Sequence, residues 1–187
     1  DATNGLSAPH PWSVNEYSAR DPRAGARKIL RDVRRTDRAG ADAIIVQLHW
    51  GDEYARRPNS SQMKVAKRLA GSRRVTAIVG QGPHVVQPIR LVRHKFVVFS
   101  EGNLVSNQRA STGQPAATQD GLIALLDMRA RGSRVTVRRV RYQPVWVQPS
   151  DFTVLPAKPD AGRAEVRRSY RRTVSVAGRG KRIEPVR

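Results

Sequence analysis

The apolar residues of this chain change their period along its length. Between Pro22 and Ala39, Ala26, Ile29, Leu30 and Val33 recur at three- and four-residue steps with arginine and aspartate on the other face, which predicts an amphipathic helix. Asp21-Pro22 supplies an N-cap followed by proline at the first helical position, and Gly40 a stop. Residues 1–21 lack periodicity and carry Asn4-Gly5, Pro9 and Pro11, so they read as loop. Ala41–Leu48 is a short, β-branched apolar run that ends at His49-Trp50-Gly51 and predicts a buried strand. After a loop over Asp52–Asn59, Ser60-Ser61-Gln62 opens a second helix with Met63, Val65, Ala66 and Leu69 as its apolar positions. Val75–Val79 is the next buried strand, stopping at Gly80-Gln81-Gly82-Pro83-His84. Strand, helix, strand in this order is a βαβ unit, whose two strands run parallel.

Beyond His84 the pattern shifts to apolar or alternating stretches, Val85–Val92, Phe96–Ser100, Leu122–Asp127 and Val135–Trp146. Connections such as Arg93-His94-Lys95 and Arg131-Gly132-Ser133 mark antiparallel hairpins. A polar loop over Asn107–Gln119 interrupts the series. The expected fold class is therefore α/β (α+β), a βαβ unit followed by antiparallel strands. The expected division is a main domain over residues 1–150 and a basic, weakly structured tail over 151–187, with a short helix at Arg163–Arg172.

Composition alters this picture in one respect. The chain has 187 residues, no cysteine, and 35 Lys+Arg against 15 Asp+Glu, a formal net charge of +20. Without cysteine there is no disulfide framework, thiolate zinc site or cysteine nucleophile. No apolar run approaches the roughly 18–20 residues that a membrane helix needs. The charge suggests a basic nucleic-acid-binding module. No helix-turn-helix, zinc-finger or basic-zipper pattern accompanies it, and aromatics are only 5%, so contact with nucleic acid is expected to be nonspecific.

Candidate chemistry sits at the strand ends. His49 and His84 fall at the C-terminal ends of successive parallel strands, the edge where open α/β sheets bind ligands. Beside His49, Asp52 and Glu53 offer oxygen donors or a base. The glycines around Gln81 can turn backbone N–H groups toward an anion. Asn103, in Ser100-Glu101-Gly102-Asn103-Leu104, can bond a phosphate or carboxylate. Each has a plainer reading: a strand-end histidine held by the backbone with Trp50 in the core, a tight turn at His84, and a turn asparagine at Asn103. His10 and His94 read as surface loop residues.

Taken in order, His49-Trp50-Gly51 with Glu53-Tyr54, Gly80…Pro83-His84-Val85-Val86-Gln87-Pro88, and Ser100…Gly102-Asn103 resemble the later motifs of the CapA family. These are bacterial capsule and poly-γ-glutamate biosynthesis proteins with a calcineurin-like metallophosphoesterase fold. Thr3-Asn4-Gly5 and Pro11–Asn15 are similar to the segment preceding those motifs, so the resemblance covers about residues 1–147. It implies a two-layered β-sandwich flanked by helices. It further implies His49 and His84 as ligands of a divalent metal (Mn, Fe, Zn or Mg), Glu53 as a base or orienting group, and Gln81 and Asn103 as substrate contacts. The family's Gly-Asp turn and Asn-Asn-His segment have no counterpart here, and Gln81-Gly82 replaces further histidines. The expectation is thus the C-terminal portion of a longer protein with an incomplete site. The implied partners are an acidic polymer such as poly-γ-glutamate, or a capsule synthesis complex, in the cell envelope. A metal-dependent phosphoesterase outside capsule biology is the alternative enzyme.

Overall fold

The computed structural model describes residues 15–18 and 20–186. The loop reading of residues 1–14 and the surface reading of His10 lie outside the described residues. The first helix, α1 (Pro22–Arg38), is capped as its sequence predicts: the Asp21 carboxylate accepts from the backbone N–H groups of Arg23 and Ala24. Strand β1 (Ile45–His49) leads to α2 (Ser60–Ala70), which opens with a reciprocal cap. The Asn59 side chain accepts from Gln62 N, and the Gln62 side chain accepts from Asn59 N. β2 (Ala77–Gln81), β3 (Val86–Val92) and β4 (Lys95–Glu101) complete a first sheet in the order β1-β2-β4-β3. β1 and β2 pair in parallel, as the βαβ reading requires, and β3–β4 is an antiparallel hairpin. His94 occupies the turn of that hairpin and is exposed.

A second sheet holds the long hairpin of β5 (Asp120–Arg131) and β6 (Arg134–Val147), with β7 (Val154–Pro156) antiparallel and β8 (Ile183–Pro185) parallel to β6. The sheets face each other through Val86, Ile89, Phe96 and Val98 from the first and Leu122, Val140 and Tyr142 from the second. The opposite face of the first sheet packs Val46, Leu48, Ile78, Val97 and Phe99 against Ala26 and Val33 of α1 and Val65 and Leu69 of α2. Each such side chain removed from water contributes about 1.5–3 kcal/mol. The result is a mixed α/β architecture with two facing sheets and α1 and α2 outside the first, in keeping with the family resemblance.

Two expectations need correction. β1 is not buried on both faces: among the described residues it is an edge strand, and Ile45, Gln47 and His49 alternate outward while Val46 and Leu48 point to the core. The segment after residue 150 is not a weakly structured tail. It forms β7, α3 (Ala164–Ala177) and β8, with Val166, Ser169, Thr173 and Ala177 buried. Small polar residues at two of those four positions blunt the helical apolar pattern. Its arginines also find partners: Arg172 bonds Asp120 through two contacts of 2.7 Å, Arg163 lies over the Trp146 ring, and Arg182 lies over Phe96.

Candidate functional site

His49 is the last residue of β1, and its register partner in β2 is Gln81, so the two share the same face at the C-terminal sheet edge. Neighbouring residues in parallel register stand side by side. His84 follows three residues after the end of β2. The connection between the two loops is tight: Trp50 N donates to Gln81 O at 2.8 Å, and Tyr54 N donates to Pro83 O at 2.7 Å. Glycine is required at that crossing. A Cβ on Gly82 would stand 2.6 Å from the Trp50 carbonyl oxygen, and one on Gly80 would stand 2.2 Å from Trp50 Nε1. The Trp50 indole is core, as its plain reading holds. It stacks on Phe99 with ring centroids 5.8 Å apart and donates to the Phe99 carbonyl at 2.8 Å. His84 and Tyr54 both adopt left-handed backbone, with φ of 60° and 61°. Such residues cost about 1–3 kcal/mol of strain each and cluster at functional sites.

Hydrogen bonding assigns the state of His84. Asn103 Nδ2 donates to the Thr118 carbonyl at 2.9 Å and to Gln108 Oε1 at 3.2 Å. A carbonyl can only accept, so the opposite end of the amide, Oδ1, faces His84 Nδ1 at 3.0 Å. Nδ1 therefore carries the proton in neutral His84, and Nε2 presents a lone pair outward. Both ends of the Asn103 amide are engaged within the protein, and its Oδ1 orients His84. Glu53 is exposed on the Nε2 side, its Oε1 3.9 Å from His84 Nε2, too far for a hydrogen bond. The Tyr54 ring stands 6.2 Å from the His84 ring. Although His49 faces outward, partial desolvation, reinforced by nearby His84, holds its imidazole below the usual pKa and favours the neutral form. Gln81 is exposed beside it.

The profile of the bacterial capsule synthesis protein PGA_cap matches residues 2–108, more than half of the chain and all of this histidine edge. The chain belongs to the PGA_cap family. It is 28% identical over 121 residues to a Bacillus subtilis protein named PGA biosynthesis protein CapA, covering 65% of this chain and 29% of that one. It is 29% identical over 98 residues to the Capsule biosynthesis protein CapA of Bacillus anthracis, covering 52% of this chain and 22% of that one. The chain thus spans less than a third of the length of the curated relatives it matches.

Within this PGA_cap chain, the donors fall short of a metal site. A divalent ion takes about four to six donors, and no group of three or more His, Asp or Glu side chains converges among the described residues. Asp52 is occupied: its Oδ1 accepts from Asn59 Nδ2 at 2.9 Å. The two imidazoles by themselves supply only two of those donors. The residues that shape the edge most were not singled out from the sequence. Gln62 and Gln87 are almost wholly buried and bonded to each other at 2.9 Å. Gln87 Nε2 also donates to the carbonyls of Ala55 (2.8 Å) and Arg57 (3.2 Å). This pair pins the loop that carries Glu53 and Tyr54 onto α2 and β3. The available signal was a glutamine within each motif, at the helix start and two residues before Ile89. Asp120 was missed too, although its backbone carbonyl accepts from Asn103 N at 3.4 Å.

Proposed function

We propose that this PGA_cap chain acts in bacterial capsule or poly-γ-glutamate biosynthesis in the cell envelope. In this reading its histidine edge supplies two imidazole ligands to a divalent-metal centre whose other donors come from outside the described residues. The observation that carries the proposal is the chain from Thr118 through Asn103 to His84, which leaves His84 Nε2 as a directed lone pair inside the family-matched region. Orientation of a histidine ligand through its other ring nitrogen is how metal-binding imidazoles are held. A bound divalent ion would supply Lewis-acid chemistry. This chain's own residues orient His84, keep His49 neutral, and place Glu53 where it can hold or accept a proton. The acidic polymer is the expected partner, by the relatives' names and the basic charge. No helix among the described residues is long and apolar enough to cross a membrane.

The test is Mn²⁺ binding to the purified protein by calorimetry, together with restoration of capsule in a strain lacking the gene. His49→Ala and His84→Ala should abolish both, and Asn103→Ala should weaken metal binding by about tenfold or more. Metal affinity unchanged by His84→Ala would overturn the proposal. The phosphoesterase alternative uses the same imidazoles. It would be favoured by chromogenic phosphodiester hydrolysis in the absence of any capsule phenotype.

A further inference from the structure

Cations and carboxylates are unevenly matched over this surface. On α1, Asp21 is bonded to backbone amides, Asp32 pairs with Arg35, and Asp37 pairs with Arg74. Between α1 and α2 runs a groove of about 780 Å³ lined by Arg23, Lys64, Lys67, Arg68 and Arg93, with Leu30, Gly71 and Ser72 in its wall. The one carboxylate in its lining, Asp21, is held by the backbone amides that it caps. Among the described residues none of these five cations pairs with a carboxylate. Lys64, Lys67 and Arg68 stand at three- and four-residue spacing, so they share one face of α2.

Two independent features bring Arg93 into this groove. It sits in the β3–β4 turn with φ of 45°, a left-handed backbone that a bulky residue rarely adopts. Its Nη1 also lies 3.3 Å from where a Cβ on Gly71 would stand. Gly71 has ordinary right-handed backbone, φ −72° and ψ −17°, so its conformation does not call for glycine; the missing side chain makes room for the guanidinium. The C-terminal end of α2 favours a cation there as well.

We infer that the α1–α2 groove is a docking track for a linear polycarboxylate, an acidic polypeptide chain of the kind implied by the proposed function, on which this choice of occupant rests. Guanidinium groups bind carboxylates through paired hydrogen bonds, and a row of ammonium groups adds charge without sequence preference. The groove contains no aromatic side chain, the stacking platform that single-stranded nucleic acid uses. It lies on the helix layer, apart from the histidine edge, so it would hold polymer independently of metal.

The experiment measures binding of defined-length poly-γ-glutamate to the purified protein at about 50 and 200 mM salt, where polyelectrolyte contacts separate clearly. The triple variant Lys64→Gln, Lys67→Gln, Arg68→Gln is compared with a control of equal charge change at the second-sheet hairpin, Arg129→Gln, Arg131→Gln, Arg138→Gln. The groove variant should lose about tenfold or more in affinity and flatten the salt dependence, while the control changes by less than about twofold. Equal losses in both would overturn the groove and leave polymer binding standing. No polymer binding by the unmodified protein would remove the polymer partner itself. Tighter binding of double-stranded DNA, or of vesicles rich in anionic lipid, than of the polymer would overturn the polycarboxylate as occupant.

Discussion

Around α3, Arg172 reaches Asp120 through two bonds of 2.7 Å, Arg163 covers Trp146, Arg168 pairs with Glu165, and Arg167 caps the carbonyls of Ala161 and Gly162. In the groove between α1 and α2, five cations line one channel and none makes an ion pair within 4 Å among the described residues; the single carboxylate beside them, Asp21, is taken up by backbone amides. The same residue type does two kinds of work. Near α3 it joins a helix to the second sheet. On the helix layer it is left facing solvent. A formal charge of +20 averages over these populations; the partners of each cation distinguish them.

The largest effect should come from separating Arg172 and Asp120. The Asp120 side chain is 3% exposed, and losing its partner leaves a buried charge uncompensated. Arg172→Met should destabilise the fold by about 3 kcal/mol in urea unfolding. The double variant Arg172→Met, Asp120→Leu should recover part of that loss. A single substitution within about 0.5 kcal/mol of the parent would mean that the α3 cations are as dispensable as surface charges, and the contrast would collapse.

Next comes the histidine edge, which depends on close backbone approach more than on charge. Gly80→Ala places a methyl 2.2 Å from Trp50 Nε1 and 2.3 Å from the Phe99 carbonyl, breaking the bond between them. The expected cost is about 2–3 kcal/mol by thermal unfolding, with weakened metal binding because Trp50 follows His49. An unchanged melting temperature would show that the strand ends relax freely.

Much of this was legible in the residues. α1 announced itself through Asp21-Pro22 and its four apolar positions because cap and periodicity agree, and α2 and the parallel pair β1–β2 followed for the same reason. The edge exposure of β1 was not legible: the short apolar run Ala41–Leu48 reads alike whether one face or both are covered, and what lies beside it is not in the local pattern. α3 was obscured because Ser169 and Thr173 fill buried positions. The pairing of His49 and His84 at one edge was deducible from the βαβ rule. The roles of Asn103, Gln62 and Gln87 were not, since they rest on partners 15 to 32 residues away.

A smaller effect is expected with pH. The folded-state pKa of His49 is depressed by burial and by His84, so the unfolded chain binds the proton more readily. Stability contributed by the neutral imidazole is present above the unfolded value of about 6.5 and is lost as pH falls below it. Unfolding midpoints should therefore decline between about pH 7 and 5.5 in the parent, and less in His49→Gln. Equal slopes in the two proteins would remove His49 from the account.

The smallest effect should be on the helix layer. Lys64, Lys67 and Arg68 are exposed, and none pairs with a carboxylate among the described residues. Replacing all three with glutamine removes mutual repulsion along one face of α2 and retains good helix-forming side chains. It also removes cations from the end of α2 that favours them, which acts in the opposite direction. The net change in unfolding free energy should stay within about 0.5 kcal/mol of the parent, with either sign. A loss above about 1 kcal/mol would show that these cations hold the helices together, as Arg172 holds α3, and the helix layer would then have no surplus charge to offer a ligand. A neutral result combined with impaired polymer binding separates the regions most sharply, because the same substitution would leave the fold intact while removing what the groove is positioned to do.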